Sequence, residues 1–335
     1  TMARVDKYSI TSNIYEQISP YNNKFSICKY KLTSSSELDE YLTNYSYSKE
    51  SWRVTPWESK KEVFLTAADL IENKYYEKML AYTMLSQNKT VFEAEIDAIC
   101  ELVDFLRFNV YYTEEIMDKQ PVQTNEHVNI SEYHPLNGFV ASITPFNFTA
   151  IAGNLATVPL FFGNSVIWKP SDSSILSNYL FYEILIEAGL PPGVLNFCPM
   201  NPKEFSQVIT QHNNLGAVLF TGSTPVLEQL YAKIGENMSN YKNFPRVIGE
   251  SGGKNFHLID VSYEDLNTEY SSNNLPMVIT KTLEGSFNFS GQKCSACSIL
   301  YTPQKLMSKV INYLKTATPK YLSGSNNYGV INKES

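Results

Sequence analysis

Between Lys60 and Tyr112 the apolar residues recur at helical spacing. The stretch KKEVFLTAADLIENKYYEKMLAYTMLSQNKTVFEAEIDAICELVDFLRFNVYY predicts two or three long helices with a break at Asn88 to Thr90. Residues 122–133, VQTNEHVNISEY, change to strand-like alternation with polar insertions, the pattern of an exposed hairpin. GFVASITPF then closes a buried strand. Beyond it the pattern alternates: SVIWKP as strand, 174–188 as helix, GVLNFCP as strand, 203–212 as helix, GAVLFTG as strand, 225–238 as helix and PRVIGE as strand. That rhythm predicts an α/β fold, a doubly wound parallel sheet covered by helices on both faces. Its ligands would lie beyond the carboxyl ends of the strands, where the polar turns TPFN, KPSD and FTGS fall.

Composition narrows the function. The chain has 335 residues, enough for two domains or one large one, with 43% hydrophobic and 18% charged residues. No apolar run is long enough to span a bilayer. A formal net charge of −7, with no cluster of Lys and Arg, argues against a nucleic-acid partner. Five cysteines, at 28, 100, 198, 294 and 297, form no disulfide framework and point to a reducing compartment. The first residues, TMARVDKYSI, carry neither the apolar segment nor the Arg-rich amphipathic leader of a targeting signal.

Several segments carry residues suited to chemistry. In FTGSTP a buried strand meets Gly222, Ser223 and a proline fit for a first helical turn. Such a turn directs backbone N–H groups and a helix dipole at one point, as a pyrophosphate requires, or Ser223 or Thr224 simply caps the helix. Neither G-x-G-x-x-G nor G-x-x-x-x-G-K-[ST] is present. In GESGGKN, Glu250 ends a strand before two glycines: a general base if shielded from water, a turn residue otherwise. Asn147 in TPFNFTA is an oxyanion donor or the cap of the helix beginning TAIAGNLA. In GQKCSACS a metal site fails for want of a second pair of ligands, and a redox pair would need an early strand-to-helix setting. Cys297 reads as packing.

Taken in order, PFNFTAIAGNLATVPLFFGNSVIWKPSD, FTGSTP, FPRVIGESGGKNFHLI and GQKCSACSILY resemble the NAD-dependent aldehyde dehydrogenase superfamily. More narrowly, PFNFTAI, GGKNFH, GQKCSACS and AEIDA…ELVDFLRFN resemble the eukaryotic mitochondrial pyrroline-5-carboxylate (glutamate semialdehyde) dehydrogenases, from about Tyr15 to the last residue. The resemblance implies an NAD-binding domain over 1–117 and 138–250, an oligomerisation-type hairpin over 118–137 and an incomplete second α/β catalytic domain over 251–335. It implies that Cys294 is the nucleophile, that Asn147 holds the oxyanion and that Glu250 activates water. Thr144, Lys169, Gly222 and Ser223 would contact NAD, Ser295 would hold the substrate carboxylate, and no metal is required. The implied substrate is a small aldehyde, the implied compartment the mitochondrial matrix.

Two departures accompany the resemblance. Glu250 and Cys294 stand 44 positions apart, more than the family keeps, with the additional residues around TEYSSNNLPMV. They form either a solvated loop or an insertion in the helix that presents Cys294. The resemblance also reaches GVINKES part-way through the catalytic domain, before the family's E-x-F-G-P motif. On that basis the polypeptide by itself is expected not to oxidise aldehydes at a normal rate, and protein partners or a homo-oligomer are expected to cover the open face. A non-catalytic structural subunit of a mitochondrial assembly and a non-turnover NAD-binding module are the competing expectations.

Overall fold

The computed structural model describes residues 14–260 and 269–324; the termini, including GVINKES, and the connection 261–268 lie outside the described residues. The described chain begins with an antiparallel hairpin of β1 (Ile14–Ile18) and β2 (Ser26–Lys31), then α1 (Ser35–Val54). Ser34 and Glu37 start α1 with a reciprocal capping box, and it buries a narrow stripe of Leu38, Leu42, Tyr45 and Trp52. The next helices are α2 (Trp57–Asn73) and α3 (Tyr76–Gln87). Asn88 then turns the chain in the left-handed region (φ 52°), at the expected break. A second capping box, Thr90 with Glu93, starts α4 (Val91–Glu95), which runs through one π-helical turn (Ile96–Glu101) into α5 (Leu102–Asp118).

Residues 122–133 correct the sequence reading, because they form no strand. Side-chain amides bond the backbone in place of a strand partner. Gln123 Nε2 donates to the Asn129 carbonyl (2.6 Å) and Gln123 Oε1 accepts from the Asn129 N–H (3.0 Å). Gln120 Oε1 likewise accepts from the Ser131 N–H. Val122, Val128 and Ile130 stay exposed. The alternation was real, but glutamine and asparagine take the bonds that a strand ladder would use.

Five parallel strands follow: β3 (Phe139–Ile143), β4 (Val166–Lys169), β5 (Leu195–Phe197), β6 (Leu215–Gly222) and β7 (Arg246–Ser251), in the order β5-β4-β3-β6-β7. They are connected through α6 (Thr149–Thr157), α7 (Ile175–Glu187), α8 (Pro202–Gln211) and α9 (Thr224–Glu236), so the predicted doubly wound sheet is present. Its strands point alternate residues to opposite faces. Val140, Trp168 and Leu219 join one core with Phe64, Leu102 and Phe181; Ala141, Ile167, Val218 and Phe220 join the other with Leu38, Phe205 and Leu230. Strand order reverses between β3 and β6, which opens a crevice at their carboxyl ends.

A smaller unit follows. β8 (Asn255–Leu258) pairs in parallel with β9 (Cys297–Tyr301), joined by α10 (Glu269–Phe287) and followed by α11 (Met307–Gly324). Ile259, Leu275, Ile279, Leu283, Leu306 and Val310 form its core. Of the additional residues near TEYSSNNLPMV, Thr268 lies outside the described residues and the rest form the start of α10. The turn to Cys294 leaves from the other end of that helix. Among the described residues no helix is long and apolar enough to cross a membrane, and no group of three or more His, Cys, Asp or Glu could hold a metal ion.

Candidate functional site

Cys294 sits in a turn between α10 and β9 rather than on a helix. Three consecutive residues upstream, Phe289 (φ 53°), Ser290 (φ 55°) and Gly291 (φ 72°), are left-handed. For a phenylalanine that conformation is strained, and such strain persists only where surrounding contacts fix it. Phe289 is fully buried, and its N–H donates to Glu93 Oε1 at 2.9 Å. The turn is gripped from below as well. The Asn255 side-chain amide donates to the Cys294 carbonyl, and a Cβ on Gly253 would fall 1.9 Å from that same oxygen. Gly253 is therefore glycine because the nucleophile candidate's backbone occupies the space a side chain would need.

Burial pushes the Cys294 thiol above its ordinary pKa, and the adjacent Glu250 carboxylate adds to this, while the N–H groups of Ser295 and of Cys294 itself act in the opposite direction. Cys294 and Glu250, far apart in sequence, thus meet side by side. Glu250 is exposed because β7 is the sheet's edge strand, so the shielding from water considered for it is not found. Ser295 follows in the same turn, also exposed.

Asn147 joins this turn from the other side. Its Nδ2 donates to the Gln292 carbonyl at 2.8 Å, two residues before Cys294. It does not cap α6: Phe148 is the N-cap, and the first N–H groups of the helix, from Thr149 and Ala150, go to the Asp97 carboxylate (3.0 and 2.9 Å). Asp97 pairs with Lys89 Nζ (2.7 Å), both side chains 1% exposed, and Lys89 also donates to the Asn147 carbonyl at 2.7 Å. Burial holds the Lys89 ammonium below its ordinary pKa, with Asp97 opposing. Half-buried Glu101 ends the same π-helical turn, its carboxyl pushed up by burial and by Asp97. Sequence reading passed over Lys89, Glu93, Asp97, Glu101 and Asn255.

The residues expected to meet a cofactor line the strand ends. Thr144 follows β3, nearly buried, and its hydroxyl accepts from the Trp168 indole N–H at 2.9 Å. Lys169 ends β4; its Nζ donates to the Pro170 carbonyl (2.9 Å) and lies 3.6 Å from Asp172, and burial lowers its pKa. Gly222 ends β6, where a Cβ would meet the Phe220 ring at 2.6 Å. Ser223 opens α9 without a side-chain cap. These four positions flank the crevice at the reversal of strand order.

The sequence profile described as the aldehyde dehydrogenase family matches residues 8–328. The chain belongs to the aldehyde dehydrogenase family. Among curated relatives of the family, the mitochondrial delta-1-pyrroline-5-carboxylate dehydrogenase of Mus musculus is 40% identical over 300 residues, covering 90% of this chain and 52% of that protein. A probable delta-1-pyrroline-5-carboxylate dehydrogenase of Schizosaccharomyces pombe is 40% identical over 320 residues, covering 92% of this chain and 57% of that one. Among solved structures, the Delta-pyrroline-5-carboxylate dehydrogenase of Mycobacterium tuberculosis bound with NAD superposes with a TM-score of 0.86 at 35% identity, covering 98% of this chain and 61% of the other. The chain spans about half the length of the curated relatives it matches.

Proposed function

We propose that this chain supplies the nucleophile and the NAD-binding fold of a mitochondrial dehydrogenase that oxidises L-glutamate γ-semialdehyde to glutamate in proline catabolism. The observation that carries the reading is the meeting of the Cys294 thiol with the Glu250 carboxylate, beside a turn held by the Asn147 amide. The pyrroline-5-carboxylate relatives support the substrate class, and the name of the Mus musculus relative supports the compartment. The domain boundaries expected from the sequence fit this division of labour, with the sheet for cofactor and the segment after Glu250 for the nucleophile.

The residues present suit a dinucleotide. Ser223 makes no side-chain cap to α9, which leaves its hydroxyl at the end of β6, where a pyrophosphate would be held with Gly222 and Ser223. Lys169 and Thr144 would meet its adenosine and nicotinamide halves from the ends of β4 and β3. Bound NAD would accept the hydride.

The chain's own residues would do the rest. Cys294 attacks the aldehyde carbon as thiolate, its proton passing to the adjacent Glu250. Asn147 Nδ2 and the Cys294 N–H then hold the oxyanion. The Asn147 amide carries two N–H donors; one is given to the Gln292 carbonyl and the other would go to the substrate oxygen. Loss of hydride leaves a thioester on Cys294. After passing the thiol proton to solvent, Glu250 takes a proton from water, the hydroxide adds to the thioester, and the carboxylic acid departs as Cys294 leaves as thiolate and recovers the proton from Glu250. The exposure of Glu250 gives water direct access. Ser295 would bond the substrate's carboxylate.

One observation favours the second reading, a non-catalytic subunit. Ile248, Phe256, Leu258 and Tyr301 on β7, β8 and β9 expose 63%, 63%, 60% and 51% of their surface, the mark of a face that another protein segment covers. An assay separates the two. In the native protein that contains this chain, with glutamate semialdehyde and NAD, NADH formation abolished by Cys294→Ala supports the enzyme. NADH formation unaffected by Cys294→Ala, or none in a protein that binds NAD and retains its partners, refutes it.

A further inference from the structure

The segment from Lys89 to Asp97 touches both loops of the site without contributing a reacting group. On one side Lys89 Nζ donates to the Asn147 carbonyl, and Asp97 takes the Thr149 and Ala150 N–H groups, which fixes where α6 starts and so where Asn147 stands. On the other, Glu93 Oε1 accepts the Phe289 N–H of the left-handed turn, while its second oxygen completes the capping box with Thr90. Lys89 also lies between two rings, 4.2 Å from the centroid of Phe148 and 4.7 Å from that of Phe289. One ammonium therefore contacts the Asn147 loop by hydrogen bond and ring, and the turn leading to Cys294 by ring. The two loops meet directly through Asn147 Nδ2 and the Gln292 carbonyl.

We propose that Lys89 is a positioning residue for the reaction, the ammonium that sets the distance between the Asn147 amide and the Cys294 turn, with Glu93 fixing the same turn through its backbone. A buried ion pair serving stability alone would need Asp97 and nothing else. The contacts to the Asn147 carbonyl and to the Phe289 ring are surplus to that need, and both lie on the loops that carry the site. The strained φ of Phe289 gives the clamp something to hold: released, that residue relaxes, and the turn leaves Glu250. Beside Asp97, the charged groups facing Lys89 are Glu93, Glu101 and Lys293. This inference rests on the reading of Cys294 and Asn147 as site residues.

The test is alkylation of Cys294 by iodoacetamide as a function of pH, read by mass spectrometry on the wild type and on Lys89→Met, which keeps length and apolar volume. Asp97 keeps its two N–H donors from α6 in that variant. Cys198, fully buried and pushed up to about 12 by burial, is the internal control for folding. The expected result is an inflection for Cys294 about one unit lower in Lys89→Met, hence alkylation about ten-fold faster near neutral pH, with Cys198 still protected. An unchanged profile would overturn the proposal, since a purely structural lysine lowers the melting temperature and leaves the profile alone. An inflection moved upward would also overturn it, because that is the signature of a lost cation acting through space. Should Cys198 react in Lys89→Met, Glu93→Ala decides: it frees the Phe289 N–H, and the same downward shift is required of it. The alkylation reads the thiol's surroundings and not turnover, so a failure of NADH formation sinks the functional reading while an unmoved profile sinks this one.

Discussion

The large and small sheets use similar apolar residues and bury them to opposite degrees. In β6 every residue from Leu215 to Phe220 is buried, whereas in β8 and β9 Phe256, Leu258, Ile299 and Tyr301 are exposed. The difference comes from what covers each strand. Helices lie on both faces of β6, while the small sheet has α10 and α11 on one face. Parallel strands are ordinarily covered on both sides, and the small sheet departs from that rule on its outer face. The candidate site lies where the two meet: Glu250 at the end of the last large strand, and Cys294 in the turn that opens the last small one.

Cavity-forming substitutions sharpen that contrast most. Trp168→Ala removes a ring packed edge-on against Phe181 and Phe197 and leaves Thr144 without its indole donor, with an expected loss of about 3–5 kcal/mol by denaturant unfolding. Leu258→Ala in the small sheet, by comparison, is expected to change stability by about 0.5 kcal/mol or less. A small sheet as sensitive as the large one would break the comparison.

Next comes the boundary itself. Gly253→Ala must push the Cys294 carbonyl out of its place, and a displacement near 1 Å is expected to lower Cys294-dependent turnover about 10²-fold, with kcat falling more than KM rises. Full activity in Gly253→Ala would show that the turn adjusts freely.

Smaller in effect is the pH response. Burial and the Glu250 carboxylate hold the Cys294 proton, so the folded thiol keeps it above the pH at which an unfolded thiol releases it. The associated stability is present below the ordinary thiol pKa and is lost as pH rises through the folded value. Alkylation of Cys294 is therefore expected to inflect above the usual cysteine range, and Glu250→Gln to bring that inflection down. An unmoved inflection would separate the two residues.

How far the sequence discloses all this follows the same division. Strands β3, β4 and β6 are legible because a strand buried on both faces reads as a short apolar run, whereas β7, an exposed edge strand, is legible from its place in the strand-helix alternation. The hairpin of β1 and β2 and helix α1 leave little trace in the sequence, because α1 buries a thin stripe diluted by Ser, Tyr and Asn. The alternation at 122–133 misled, since glutamine and asparagine side chains take over the backbone bonds there. Cys294, Glu250 and Asn147 stand out as residues, but their roles rest on resemblance. Lys89 and Asp97 leave no signal: a lysine before a capping box reads as surface charge, and its partners Asn147, Phe148 and Phe289 lie far along the chain.

The central claim, that Cys294 carries the substrate as a thioester, is tested most directly by acid-quenched mass spectrometry of the Glu250→Gln protein after mixing with aldehyde and NAD. With hydrolysis slowed, acylated Cys294 should accumulate in step with the first equivalent of NADH. NADH formed while Cys294 remains unmodified would contradict it.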